Sequence, residues 1–268
     1  MDRIASRHNA RVKSAAKLRQ RRQRQRQGRF LIDGDREIAR AIAADCDLID
    51  AFVRDSASDD PATRAMVADL EACGAAVSAV ADEVYDKLAF GDRAGGMVAV
   101  GRARQWGLAD LRPPPTPLIA VIESLEKPGN VGAVLRSGDG AGVDATIVAD
   151  PRTDLFNPNT IRASLGTVFG RSVCGAASLD AKRWLDERQI EIYAATPDAE
   201  KLYTDVDYLG ASAIVLGSEA TGLSKVWSDS RVTRIKLPML GIADSLNVSA
   251  AAAAIFYEAR RQRDVRSN

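Results

Sequence analysis

The side chains best equipped for chemistry gather in three polar loops, each following a short apolar run. Asn130 and Arg136 belong to Asn130-Val-Gly-Ala-Val-Leu-Arg136, which opens a helical stretch after the run 118–122. Glu219 lies in Leu216-Gly-Ser-Glu-Ala-Thr-Gly222, after the run 213–216. Ser245 and Asn247 lie in Leu237-Pro-Met-Leu-Gly-Ile-Ala-Asp-Ser-Leu-Asn-Val-Ser249, between the run 235–237 and the alanine-rich segment 250–258. Together they offer a guanidinium, a carboxylate, a hydroxyl and two amides. Such groups orient a polar substrate and place charge around it.

The rest of the chain narrows the chemistry by what it lacks. His8 is the single histidine, so a Ser-His-Asp triad would need it, and it lies in a polar, basic N-terminal arm expected to be mobile. Zinc sites built on several histidines are excluded, and Cys46, Cys73 and Cys174 are too few for a cysteine-only cage. The expectation is no metal. Three scattered cysteines read as small buried residues in a reducing cytosol. The 216–222 loop has the glycine spacing of a phosphate loop, yet Leu223 stands where that loop needs lysine. Gly138-Asp-Gly140-Ala-Gly142 falls at a helix end, where glycines serve as caps, so no dinucleotide fingerprint follows any predicted strand.

Within the loops, Gly217 lets backbone approach a flat ligand, since it has no Cβ. Leu237 and Leu246 can sandwich an aromatic ring or can simply pack in a core. Glu219, in a glycine-rich loop after a strand, is poorly placed for mere solvation. Ser245 and Asn247 suit the cap of a helix starting near Val248. The stripe Ala250 to Ala254 has no polar handle and is expected to pack closely against a partner.

The elements that must hold these loops alternate β and α along the chain. Predicted strands lie at 29–32, 48–53, 76–80 and 96–100, with helices at 9–27, 36–44, 61–73 and 84–90. Pro113, Pro114, Pro115 and Pro117 mark a stiff linker. Beyond it, runs at 118–122, 145–149, 172–174, 190–195, 213–216 and 234–237 alternate with helical patterns, which implies a mostly parallel sheet covered on both faces. Ligand residues then belong in loops past the strands' carboxyl ends, where all three motifs sit. The division expected is 1–106, a linker at 107–117, and 118–268.

Charge adds a further expectation. The chain of 268 residues has a net charge of +1, from 37 bases and 36 acids. Eleven of the bases fall between Arg3 and Ile32 with no acid among them, leaving the remainder at −10. An unneutralised basic run on an acidic body points to a polyanion partner, with Arg21, Arg22, Arg24 and Arg26 as its expected contacts. No run reaches the length of a membrane span, and no apolar leader follows Met1-Asp2-Arg3.

The three loops, in this order and spacing, resemble those of the SpoU–TrmH family of RNA ribose 2′-O-methyltransferases, tightly over 118–263. The resemblance implies an α/β fold with a knotted, mostly parallel sheet, helices on both faces and S-adenosylmethionine as cofactor. It places Leu216, Gly217, Leu237, Met239 and Leu246 in the cofactor pocket, with Thr196 a further candidate. It puts Arg136 at the target ribose and phosphate. A free arginine holds its proton too firmly to act as a base unaided, so orientation and charge stabilisation are the expected role. Glu219 would brace Arg136 or Asn130, and Ser245 and Asn247 would fix loop and ribose. Relatives pair as homodimers through the C-terminal helix, and the first domain looks like their ribosomal-protein-like RNA-binding domain. Large-subunit ribosomal RNA is the expected substrate, with transfer RNA second. A non-catalytic RNA-binding or assembly protein on the same fold is the alternative from another class.

Overall fold

Short runs rich in Val, Ile and Ala, cut by turn residues, form two separate sheets. The computed structural model describes residues 1–90, 95–104 and 106–267. Contacts divide the chain into two compact units, residues 1–104 with 154–169, and 105–153 with 170–268.

The first unit runs β1 (Asp2–Ile4), α1 (Ala10–Lys17), α2 (Arg21–Gln27), β2 (Arg29–Asp33), α3 (Asp35–Ala43), β3 (Leu48–Arg54), α4 (Pro61–Ala72), β4 (Ala76–Val80), α5 (Asp82–Leu88) and β5 (Met97–Arg102). Its sheet has the order β1-β4-β3-β5-β2, parallel at β1–β4 and β3–β4 and antiparallel on both sides of β5. Under it, Val12, Ala15 and Leu18 pack with Phe52, Val84, Leu88 and Val98.

Three expectations for the basic segment are corrected. Residues 9–27 form two helices rather than one, because the chain turns at Leu18–Gln20 to bury Leu18. The N-terminus is no mobile arm at this point: β1 pairs with β4 in the register Ile4↔Val80. Arg24 is no phosphate contact. It is 4% exposed, bonded to Asp154 at 2.6 and 3.1 Å and to the carbonyls of Leu18 and Arg19 at 2.8 Å. A buried guanidinium with its donors so engaged has little left for RNA.

Asp154 also corrects the domain boundary. Residues 154–169, expected in the second domain, belong to the first unit. They carry α7 (Pro158–Ala163), and Phe30 of β2 stacks on Phe156 at 4.5 Å and Phe169 at 5.6 Å. Arg162 adds a 3.5 Å contact to Asp33.

The second unit runs β6 (Leu118–Glu123), α6 (Pro128–Ala141), β7 (Ala145–Ala149), β8 (Val173–Ala176), α8 (Ser178–Glu187), β9 (Glu191–Ala195), β10 (Lys201–Leu202), β11 (Ser212–Leu216), β12 (Val232–Lys236) and α9 (Val248–Ser267). Every pairing in its sheet is parallel, in the order β10-β12-β9-β11-β6-β7-β8. All residues of β6, β7 and β11 are buried, as a sheet covered on both faces requires.

The alanine-rich α9 buries Ala252, Ile255, Phe256 and Ala259, a helical stripe at i, i+3, i+4 and i+7. It packs densely on α6. A Cβ added at Gly138 of α6 would lie 3.7 Å from Phe256, so small residues on both helices set a close approach. The partner of the alanine stripe is therefore first of all α6 of the same chain.

Candidate active site

The carboxyl ends of the neighbouring strands β9, β11 and β12 open onto one cleft. Its walls are Ala195–Pro197 after β9, Leu216–Glu219 and Gly222 after β11, Leu237, Met239 and Asp244–Leu246 after β12, and Val248 and Ala251 at the start of α9. All six residues expected at the cofactor line it, namely Thr196, Leu216, Gly217, Leu237, Met239 and Leu246. So do Glu219 and Ser245. Its volume is about 260 Å³.

The shape of the middle loop has a local cause. A Cβ at Gly217 would meet Gly222 C at 2.4 Å, Gly222 O at 2.5 Å and Leu223 N at 2.6 Å. Glycine is therefore required here by the close approach of the loop's own backbone. The loop closes through Gly222 N to Ser218 O at 2.9 Å and Thr221 N to Ser218 Oγ at 3.1 Å. Gly217, Ser218 and Gly222 of that loop line the cleft together with Leu216, Leu237 and Leu246. Apolar faces with main-chain groups at the edge fit the adenine of S-adenosylmethionine, and the thioether Met239 and the aliphatic Val248 extend the apolar lining.

Thr196 serves the cleft wall twice. Its N–H donates to Ile235 O at 2.9 Å, tying β9 to β12, and its hydroxyl accepts from Arg234 Nε at 3.3 Å. Arg234, with Thr196, holds the Asp198 carboxyl below the usual carboxylate range. The arrangement fixes the rim electrostatically and keeps Arg234 occupied.

Polar residues of all three motifs meet beside this cleft. Asn130, in the first turn of α6, donates from Nδ2 to Glu219 Oε1, and Asn247 Nδ2 donates to Asn130 Oδ1 at 3.4 Å. Glu219 therefore braces Asn130, and not Arg136. Asn247 is also the cap of α9: its Oδ1 accepts Ser249 N at 2.9 Å and Ser249 Oγ at 2.7 Å. Ser245 makes no such bond and faces the cleft. Of the two candidate caps, only Asn247 acts as one.

Arg136 stands apart from this chain of amides. It lies six residues after Asn130 on α6, about 9 Å further along the axis. It is exposed, and among the described residues it makes no hydrogen bond or ion pair. Sequence reasoning missed Glu123, the buried carboxylate at the end of β6, because it reads there as the last residue of a strand. Among the described residues no three His, Cys, Asp or Glu side chains gather as a metal site.

Comparisons with known proteins identify the family. The SpoU rRNA Methylase family matches residues 117–257, and the MRM3-like substrate binding domain matches residues 9–99. A 23S rRNA guanosine 2′-O-methyltransferase of Bacillus subtilis is 26% identical over 263 residues, covering 97% of this chain and 100% of its own. A crystal structure of an RNA 2′-O ribose methyltransferase is 40% identical, with a TM-score of 0.84 over 97% of this chain and 99% of that one. The AdoMet-bound rRNA methyltransferase of Sinorhizobium meliloti is 25% identical, with a TM-score of 0.87 over 97% of both chains.

Proposed function

This chain belongs to the SpoU rRNA methylase family, and from that premise we propose that it methylates a ribose 2′-hydroxyl of large-subunit ribosomal RNA, using S-adenosylmethionine. The observation that carries the reading is a cleft lined by the second and third loops, with Asn130 of the first joined beside it, side chain to side chain, to Glu219 and Asn247. Bound in the cleft, the cofactor supplies an activated methyl group on a positive sulfur. Leu216, Leu237, Met239 and Leu246 hold its apolar parts, while Gly217 allows the loop to fold back around them. Glu219 fixes the Asn130 amide, and Asn247 holds the start of α9 against it. Ser245 offers a hydroxyl at the cleft wall. Arg136 reaches the substrate phosphate, orients the 2′-oxygen and balances charge there, keeping its own proton, while the proton lost from the 2′-hydroxyl passes to water. Transfer of the labelled methyl group from S-adenosylmethionine to large-subunit RNA, mapped to a 2′-O-methyl nucleotide, tests the reading. Label on transfer RNA alone would overturn the choice of substrate, and label on neither would favour a non-catalytic assembly role.

Substrate binding is assigned to the first unit, from the family match to residues 9–99 and the basic segment. Arg21, Arg22 and Arg26 are exposed on α2, and Arg24 no longer belongs with them. Replacing those three by glutamine is expected to weaken RNA binding and to flatten its log–log salt dependence by about 2 to 3, at roughly 0.7 to 0.9 for each phosphate no longer neutralised. Turnover at saturating RNA should change little, because the arginines on α2 position the substrate through its phosphates. An unchanged slope in binding titrations from low to high salt would remove α2 from the interface.

A homodimer and a trefoil-knotted C-terminal segment are part of the same proposal. Support for the first comes from Leu240 and Ile242, 98% and 105% exposed beside the cleft loop, and from exposed Tyr257 on α9. Light scattering at micromolar concentration should give about 57 kDa, twice the chain mass of 28.7 kDa; a single-chain mass would refute it. The return of α9 onto α6 supports the threading. We place the reaction in the cytoplasm, a reading supported by three free thiols at Cys46, Cys73 and Cys174.

A further inference from the structure

Glu123 is 1% exposed at the carboxyl end of β6, and every group bonded to its carboxylate is a donor. Oε1 accepts Ser224 Oγ at 2.8 Å and Trp227 Nε1 at 2.9 Å, and it shares the one proton of the Ser178 hydroxyl, 2.5 Å away, with Asp150 Oδ2, which lies 2.6 Å from the same oxygen; Oε2 accepts Ser224 N at 2.7 Å. Three hydrogen bonds and a shared fourth let a carboxylate tolerate such burial. Three of them come from residues just downstream of the cleft loop, Ser224 and Trp227. Upstream, that loop is held by β11 and by the contact of Gly217 with Gly222. Glu219 hangs between these two anchorages. On its other side Glu123 is followed by Ser124 in the left-handed region (φ 55°), where the chain turns toward α6 and Asn130. One buried carboxylate thus sits between the two segments whose side chains, Glu219 and Asn130, must meet.

We propose that Glu123 is a positioning residue for methyl transfer, fixing the downstream end of the 217–223 loop so that Glu219 reaches Asn130. It touches neither cofactor nor substrate and acts through Glu219. The proposal rests on the role assigned to Glu219 above. In Glu123→Gln the amide keeps the volume but adds a donor. With its oxygen left on Trp227 Nε1, its NH₂ faces the Ser224 N–H, a donor against a donor. The loop end must then move.

A mutant cycle over wild type, Glu123→Gln, Glu219→Ala and the double variant separates positioning from plain destabilisation, alanine being used at 219 because glutamine would keep the oxygen that accepts from Asn130. The readout is the single-turnover rate of methyl transfer to a large-subunit RNA fragment, with melting temperatures taken in parallel. Glu123→Gln is expected to slow transfer by about ten- to hundredfold, the scale of an ångström-sized misplacement. In the Glu219→Ala background the same change should cost less than about twofold, because the two residues act as a unit. The melting temperature should fall by the same amount in both backgrounds. Rate losses that multiply would overturn the proposal, since a merely structural carboxylate lowers the rate whatever occupies position 219. A wild-type rate in Glu219→Ala alone would instead sink the role given to Glu219. Ser224→Ala removes one hydroxyl donor and runs the same cycle with a smaller effect if Glu123→Gln does not fold. Multiplying losses there overturn the proposal equally.

Discussion

Arg136→Ala lowers single-turnover methyl transfer by about 100-fold or more, roughly 3 kcal/mol of transition-state stabilisation, and leaves cofactor affinity nearly intact. The side chain is exposed on α6 and has no partner among the described residues, so removing it breaks nothing inside the protein. Alanine is also the best helix former, which keeps the change in stability within about 0.5 kcal/mol. The whole effect therefore falls on the substrate side. Arg136→Lys rescues little, because an ammonium is a point charge and cannot grip phosphate and ribose in one plane. Quenched-flow rates near wild type in the lysine variant would show that charge alone matters and that the fork does not.

Gly217→Ala weakens cofactor binding by roughly 5- to 150-fold, nearly as much as Gly217→Val. The first added atom already lies 2.4 Å from Gly222 C and 2.6 Å from Leu223 N, and both are backbone that cannot step aside. Relieving the clash unfolds the Ser218–Gly222 turn, at a cost of about 1–3 kcal/mol, or roughly 5- to 150-fold in affinity. Gly129→Ala is the control, since a Cβ there meets nothing within 4 Å. Calorimetric titration with S-adenosylmethionine should show wild-type affinity for the control and a severe loss for Gly217→Ala. Equal affinities would mean that the loop does not form the pocket wall.

The site was legible where its signal is local. Strands such as Ala76–Val80 and Ala145–Ala149 announce themselves by composition and length, and the motif loops by polar residues directly after them. The pocket residues follow, because ligands bind past strand ends in parallel sheets. What escaped depends on partners distant in the chain. Arg24 sits in a run of bases that all read alike, and only Asp154, 130 residues later, makes it the buried one. The strand β1 is three residues long with one buried side chain, too short for any periodicity to show. Glu123 looks like the polar end of a strand until Ser178, Ser224 and Trp227 converge on it. Of the two partners expected for Glu219, Arg136 or Asn130, geometry selects the second. Asn130 lies in the first turn of α6, and Arg136 nearly two turns further on.

The assignment of residues 154–169 to the first unit bears on how such enzymes can be cut and recombined. The chain passes between the two units three times, near 104, 153 and 169. Residues 1–104 are therefore not a cassette. Excised alone, they would leave Arg24 charged and buried without its carboxylate, and Phe30 without the rings of Phe156 and Phe169. Grafted onto a relative's catalytic half, they would meet a foreign segment where those partners belong. Exchange of substrate preference between relatives has to carry two pieces of chain together, and residues 154–169 are the piece that a swap drawn at the proline linker leaves behind.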